Sequence, residues 1–346
     1  MKRFAARCLL LSCLLLVANA CHAEKPLRLV SFNAEILTAP GSRASRLTRF
    51  RWDTAREAHF ERVASVVESL EPDILNLVEA TSVEAVDHLI EILHEKGLNE
   101  YRGYHVESND NYTGMDVALI TRLTPDTLDG QIIRTIYSES DDPTWRETFH
   151  YNDYDGKPRS RSTSLERNSL YFFTVSGWKL GFLGLHLKSN PEDDYSNAKR
   201  MAEANLARRV VRSEVVPQGY LPIIWGDLND YDPDVPDRDP TRDAATTVLR
   251  DLKDFDSERT GVELVNVAQL IQRESDRYTS HWDRNENGAD DSDDVKTMLD
   301  HILLPRELMP FVRRAWISHV TDLKTSDHWP VVVDLMLPEQ GGTKPQ

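Results

Sequence analysis

Again and again this chain runs an apolar segment into a polar side chain, and residues 221–230, LPIIWGDLND, do so most sharply. Pro222 to Trp225 read as a short buried strand, and the polarity flips at once to Gly226, Asp227 and Asn229. The strand therefore delivers polar groups to a sheet edge. Asp227 and Asn229 are two apart, so on an extended backbone their side chains share one side, a carboxylate acceptor beside an amide donor. Gly226 lets the backbone turn sharply or approach a ligand closely where the strand ends. An ordinary strand running into an Asx turn has the same spelling, so the other strand ends must decide.

Residues 1–23 have a basic start at Lys2, Arg3 and Arg7, an apolar run over 9–17 and then small residues. This is the pattern of a secretory signal peptide, with cleavage after Ala20 or Ala23, and it implies export to the periplasm or medium. The run is too short for a membrane-spanning helix. Cys21 is an alternative lipoprotein anchor, although Ala18 stands where such signals usually carry Leu. Cys8, Cys13 and Cys21 are the only cysteines, so no disulfide framework is available and a single domain over 24–346 must rest on its core. Without the three basic residues of the signal, 38 Lys and Arg face 57 Asp and Glu, a net charge of −19. Broad salt-driven adhesion to nucleic acid or anionic membrane is disfavoured, while a local cation or arginine cluster can still reverse the sign at a cleft.

Further strands end in the same way. LRLVSF (27–32) ends on Asn33-Ala34-Glu35, and PDILNLVE (72–79) on Glu79. The strand through GLHLKS carries His186, TMLDHILL (297–304) carries Asp300, and the turn TSDHWP (325–330) carries Asp327 and His328. Between them, 55–70 and 82–96 read as helices, the second with Ser82 as cap and Gly97 as stop, and 195–215 as a long amphipathic helix. Strands are expected at 116–121, 130–136, 170–175, 178–185, 311–320 and 331–335. Residues 141–167 read as a long polar surface loop and 230–243 as a solvated acidic one. Arg43 and Arg46 in the basic loop after the first strand, and Arg167, are candidate substrate-phosphate contacts. The carboxylates suit a hard cation such as Mg2+, with Mn2+ as an alternative. Cysteine ligands, HExxH, GxSxG and Walker motifs are all absent from the sequence.

SFNAE, LNLVE, GLHLKS, WGDLND, LDHILL and SDHWPV, in that order, resemble the endonuclease/exonuclease/phosphatase superfamily over nearly all of the exported chain. The resemblance implies an α/β fold, a four-layer α/β/β/α sandwich of two mixed β-sheets flanked by helices. It also implies that Glu79 is the principal metal ligand, helped by Asn33, Glu35 and Asp327. His328 would be the catalytic imidazole oriented by Asp300, Asp227 would orient or deprotonate water, and Asn229 and His186 would donate to phosphate oxygens. Glu35 departs from the Asp of many nuclease members. The family acts on phosphodiesters and phosphomonoesters, and the motifs do not decide between them. The leading reading is a Mg2+-dependent phosphodiesterase, most simply a nuclease, and the chain is expected to be a monomer. A lipid or inositol-phosphate phosphatase, or a sphingomyelinase, would use the same motifs, and a non-catalytic binding protein on this scaffold is the reading from a different class.

One stretch stands outside the resemblance. Asp283, Asn285, Asn287, Gly288 and Asp294 occupy positions 1, 3, 5, 6 and 12 of the calcium-loop pattern, which implies a weak Ca2+ site. Against it, position 12 is Asp rather than Glu, and the alternative is an acidic connection between two strands.

Overall fold

The computed structural model describes residues 25–43, 47–110, 113–137, 143–191, 193–239, 245–285 and 287–340. The expected signal peptide and Arg46 lie outside the described residues.

The first half of the chain builds four strands of one sheet and its helices. β1 (Lys25–Leu37) leads to α1 (Asp53–Leu70), β2 (Ile74–Ala80), α2 (Val83–Glu95), β3 (Arg102–Tyr104) and β4 (Asp116–Thr121). β1 and β2 are parallel, which requires a crossover, and α1 supplies it. α1 buries Phe60, Val63, Val67 and Leu70 at helical spacing and ends where Glu71 turns left-handed and returns its N–H to the Val67 carbonyl at 2.8 Å. α2 starts at Ser82, whose hydroxyl accepts the Ala85 N–H at 3.3 Å, and stops before Gly97.

The second half repeats the plan. β5 (Ile133–Arg134), β6 (Arg146–Asn152) and β7 (Pro158–Ser164) precede β8 (Asn168–Val175) and β9 (Trp178–His186). α3 (Asp194–Val210), capped by Asp193 on the Ser196 N–H, crosses to β10 (Leu221–Asp227), which runs parallel to β9. Then come α4 (Val248–Lys253), β11 (Leu264–Asn266), β12 (Ser280–Trp282), β13 (Val295–Thr297), β14 (Asp300–Pro305), β15 (Val312–Ile317) and β16 (Val331–Leu337).

The sheets are ordered β15-β16-β1-β2-β4-β3 and β11-β14-β10-β9-β8-β5. Leu27, Leu29, Ile74 and Leu119 of the first meet Tyr171, Phe182, Ile223, Trp225 and Ile302 of the second in a core between them. α1 and α2 close the outer face of one sheet, and α3 and α4 that of the other. This is the expected α/β/β/α sandwich. Each large apolar side chain so buried contributes about 1.5–3 kcal/mol. Gly184 marks how tightly the layers approach, since a Cβ there would lie 2.2 Å from Asn76 Oδ1.

Three expectations need correction. The polar loop expected over 141–167 is largely the β6–β7 hairpin, packed on α3 through Phe149, with residues 141–142 outside the described set. The strand expected over 130–136 shrinks to Ile133–Arg134. The acidic segment after Asn229 is not solvated where it begins. Asp230 is buried and pairs with the fully buried Arg200 at 2.8 Å, and residues 240–243 lie outside the described set.

Candidate active site

Parallel pairing puts the C-terminal ends of β1 and β2, and of β9 and β10, at one end of the sandwich. The antiparallel β14 and β16 begin at that same end, with Asp227 opposite Asp300 and Ser31 opposite Val331. Asn33 and Glu79 therefore come from one sheet, His186, Asp227 and Asp300 from the other, and Asp327 and His328 from the turn before β16. Asn33 joins the two sheets, its Nδ2 donating to Glu79 Oε1 at 3.0 Å and to Asp227 Oδ2 at 3.1 Å. His328 Nδ1 donates to Asp300 Oδ2 at 2.6 Å, while its Nε2 lies 3.9 Å from Asp227 Oδ2. His186 Nε2 is 3.7 Å from Glu79 Oε1 and 3.8 Å from Asp227 Oδ2. All nine sequence-predicted residues of the site meet within one cluster or at its edge.

The backbone bends to present these groups. Glu35, Ile36, Glu79 and Asn229 all have φ between 51° and 65°, a left-handed region that non-glycine residues rarely occupy. Such conformations cost about 1–3 kcal/mol each, and the surrounding hydrogen bonds hold them. Glu79 Oε2 accepts the Ile36 N–H at 2.8 Å, Asn33 Oδ1 the Glu35 N–H at 2.9 Å, and Asp227 Oδ1 the Asn229 N–H at 3.0 Å. Gly226, at φ 129°, runs so close to β9 that a Cβ would sit 2.0 Å from the Leu185 carbonyl oxygen. That contact is why the strand needs glycine just before Asp227.

The charges are unevenly matched. Burial, then Asp327, pushes Glu35 up to about 8, and the same two causes raise Glu79. Burial, then Asp300, pushes Asp227 up to about 7. Burial opposes the charge on His328, but Asp300 and then Asp227 outweigh it and hold the imidazole well above its ordinary value. Burial, then Arg167, keeps His186 neutral. The site thus holds a protonated imidazole and a carboxylate poised near neutrality. Beside them, the charge of Asp327 acts on both Glu35 and Glu79, a crowding of carboxylates that a hard cation would relieve, although these three do not themselves converge on one point. Glu79, His186 and Asp227, and separately Asp227, Asp300 and His328, converge closely enough to share an ion.

Two supporting residues were not among the predicted site residues. Arg49, from the basic loop, turns inward to Glu35 Oε2 at 2.9 Å and to the Thr325 carbonyl at 2.7 Å. Glu35 Oε2 also accepts the Asp327 N–H at 2.8 Å, so this glutamate positions the turn as well as facing the donor set. Ser326 Oγ donates to the Asn33 carbonyl and accepts the His328 N–H. Its place directly before Asp-His, as in a Ser-initiated turn, was the available clue.

Of the candidate phosphate contacts, Arg167 reaches the site: Nη1 lies 3.4 Å from both His186 ring nitrogens and Nη2 donates to the Leu187 carbonyl. Arg43 is exposed on the loop after β1, and Arg46 is outside the described residues. Asn229 spends one amide hydrogen on the Leu187 carbonyl at 3.1 Å. The calcium-loop oxygens do not gather as that pattern needs. Asp283 accepts the Asn287 and Gly288 N–H groups, Asn285 and Asn287 donate to Asp291, and Asp294 turns inward to His281 at 2.7 Å. The segment is a self-bonded acidic connection between β12 and β13.

No family model and no curated protein matches the sequence. Solved structures do match. An endonuclease/exonuclease/phosphatase family protein from Leptotrichia buccalis superposes with a TM-score of 0.55 at 14% identity, over 90% of this chain and 100% of that one. The fold is that of the endonuclease/exonuclease/phosphatase superfamily. Within it, the 3′ phosphatase NExo from Neisseria, bound to a product DNA hairpin, matches with a TM-score of 0.55 at 15% identity over 90% and 100% of the two chains. TDP2 from D. rerio, complexed with single-strand DNA product, matches with a TM-score of 0.52 at 18% identity over 90% and 99%. Among the described residues, no helix is long and apolar enough to cross a membrane.

Proposed function

We propose that this protein is an exported, divalent-metal-dependent phosphodiesterase, most simply a nuclease, working as a monomer with one catalytic domain over 24–346. The observation that carries the reading is the pairing of His328 with Asp300 at 2.6 Å directly across from Asp227. Asp227, pushed towards neutrality, is suited to take a proton from water. His328, held protonated, is suited to stabilise charge on the phosphoryl group or to protonate the leaving oxygen. Asp300 fixes which ring nitrogen faces the substrate. His186, being neutral, donates without adding charge, and Asn229 has a second amide hydrogen to offer a phosphate oxygen. Arg167 stands beside His186 where a phosphate would arrive.

Glu79, with Asn33, Glu35 and Asp327, would hold the Mg2+ ion, and Mn2+ suits the same donors. When bound, the ion supplies Lewis acidity and charge neutralisation at the phosphoryl oxygens. The structural neighbours NExo, a 3′ phosphatase, and TDP2 carry DNA products, which supports a nucleic-acid phosphoester over a lipid or inositol phosphate as the substrate of this chain.

The test is hydrolysis of plasmid DNA, RNA, sphingomyelin and bis-p-nitrophenyl phosphate, with Mg2+ and with EDTA. Metal-dependent cleavage of a nucleic acid is the expected result. Turnover of sphingomyelin alone would move the protein to the lipid branch, and inertness towards every substrate would make it a binding protein.

A further inference from the structure

Three bonds meet at one peptide group beside the site, the one that joins Leu187 to Lys188. Its carbonyl accepts the Asn229 amide at 3.1 Å and an Arg167 guanidinium N–H at 3.0 Å, so two donors assigned to the phosphate hang from a single oxygen. Each keeps further hydrogens for a ligand. The N–H of the same peptide donates to Glu203 Oε2 at 2.8 Å. The next carbonyl, that of Lys188, accepts Arg200 Nη1 at 2.8 Å, and Arg200 Nε donates to Asp230 Oδ2 at 2.8 Å. Asp230 directly follows Asn229.

Arg200 and Glu203 lie three apart on the inward face of α3 and are 0% and 2% exposed. They do not serve each other. Arg200 pairs with Asp230, whereas Glu203 faces Lys199 at 3.7 Å, and Lys199 leans to Glu166 at 2.7 Å.

Taking a guanidinium and a carboxylate out of water is costly, and apolar side chains of similar volume hold a helix against a sheet at least as well. What the two charges supply and leucine cannot is direction. One accepts a particular N–H and the other donates to a particular carbonyl, both in the chain that runs on from His186. Asn229 depends on such fixing, because its backbone sits at φ 51°, a conformation that persists only where the surroundings enforce it. From behind, α3 grips the turn after β9 and the turn after β10 together.

We infer that Glu203 and Arg200 are positioning residues for the phosphoryl-transfer step, setting the aim of Asn229 and Arg167 through the Leu187–Lys188 peptide and Asp230. This rests on the phosphodiesterase reading. Neither side chain touches the substrate, and their influence grows as charge builds on the phosphate oxygens, so it falls on kcat more than on KM.

The test uses the full chain with Mg2+ and the substrate that the parent turns over fastest. Glu203→Leu removes the acceptor of the Lys188 N–H and should lower kcat at least about tenfold, with KM changed less than about threefold. Glu203→Gln keeps an oxygen for that N–H and should restore most of the rate. In an Arg167→Ala, Asn229→Ala background, the same leucine substitution should cost less than about twofold, because nothing remains for it to aim. Thermal melting checks each variant. If the leucine variant does not fold, Arg200→Lys goes through the same cycle, since lysine keeps a charge for Asp230 without also spanning to the Lys188 carbonyl. An equal loss in both backgrounds, or no rescue by glutamine, would overturn the assignment.

A second readout is free of turnover. The side-chain amide resonance of Asn229, assigned by its loss in Asn229→Ala, should move in the NMR spectrum of Glu203→Leu and stay in that of Glu203→Gln. A parent that hydrolyses none of the substrates would refute the phosphodiesterase reading, and this resonance would then decide alone. Movement would keep the positioning of Asn229, and an amide unmoved by Glu203→Leu would overturn it.

Discussion

The hydroxyl of Thr279 accepts the backbone N–H of Asp300 at 2.9 Å and that of Leu299 at 3.0 Å. Its carbonyl accepts the Trp329 N–H at 2.8 Å, and the following residue, Ser280, bridges to His328. One fully buried threonine thus fastens the strand carrying Asp300 to the turn carrying His328. Thr279→Val keeps the shape and removes the acceptor, leaving two buried N–H groups unpaired. The expected outcome is a fall in kcat of about 10- to 100-fold with little change in KM, because the dyad shifts while the rest of the site stays. Thr279→Ser should restore most of the rate. Normal kcat in the valine variant would show that the dyad is positioned by other means.

Asp227→Asn and His328→Ala should each lower kcat at least about a hundredfold without loss of the fold, since both are assigned to proton transfer and charge stabilisation. Steady-state rates on the best substrate, alongside circular dichroism, check this. Near-parental turnover in either variant removes that residue from the chemistry.

Glu79→Gln removes charge and almost no volume. It should raise the Mg2+ concentration needed for half-maximal rate, while secondary structure is retained. A Mg2+ titration of parent and variant measures the shift. An unchanged Mg2+ requirement, or full activity of the parent after exhaustive chelation, would contradict the metal assignment.

His59 gives the fold an acid-sensitive point behind the donor set, against Arg49 and Thr325. Its ring donates to the Thr325 carbonyl at 2.9 Å, and burial, then Arg49, pushes its pKa from 6.5 down to about 3. Below about 6.5 the unfolded chain takes up a proton that the folded chain refuses, so this group's stabilisation is complete above that pH and falls away towards 3. Between pH 6.5 and 5 the loss is about 2 kcal/mol. Urea unfolding at both pH values should show a smaller difference in His59→Gln than in the parent by about that amount. Equal pH dependence would mean that His59 takes up its proton in the fold as readily as in the unfolded chain.

What was legible in the sequence depended on contrast along the chain. β2, β10 and β14 join apolar residues to a single carboxylate, so both the strand and its reactive end could be read from a short window. β6 and β7, RETFHYN and PRSRSTS, face solvent along most of their length and bury little beyond Phe149, Thr163 and Ser164, so no alternation announced them. Asp230 reads as one more acid in an acidic run because Arg200, the partner that draws it inside, is thirty residues away on α3. Thr279 acts chiefly through bonds to backbone groups, which leave no pattern in side-chain chemistry. The Asp294 of the calcium-like spacing was drawn to His281, a competitor that the local motif does not contain.

The left-handed backbone at Glu35, Glu79 and Asn229 has a consequence for how this protein would evolve. Glycine would relax each position, so some of the substitutions that most stabilise the fold are among those that disable the site. A population selected only for heat resistance would drift towards inert proteins through these codons. A lineage that kept the scaffold for another purpose would be expected to lose its side chains there first.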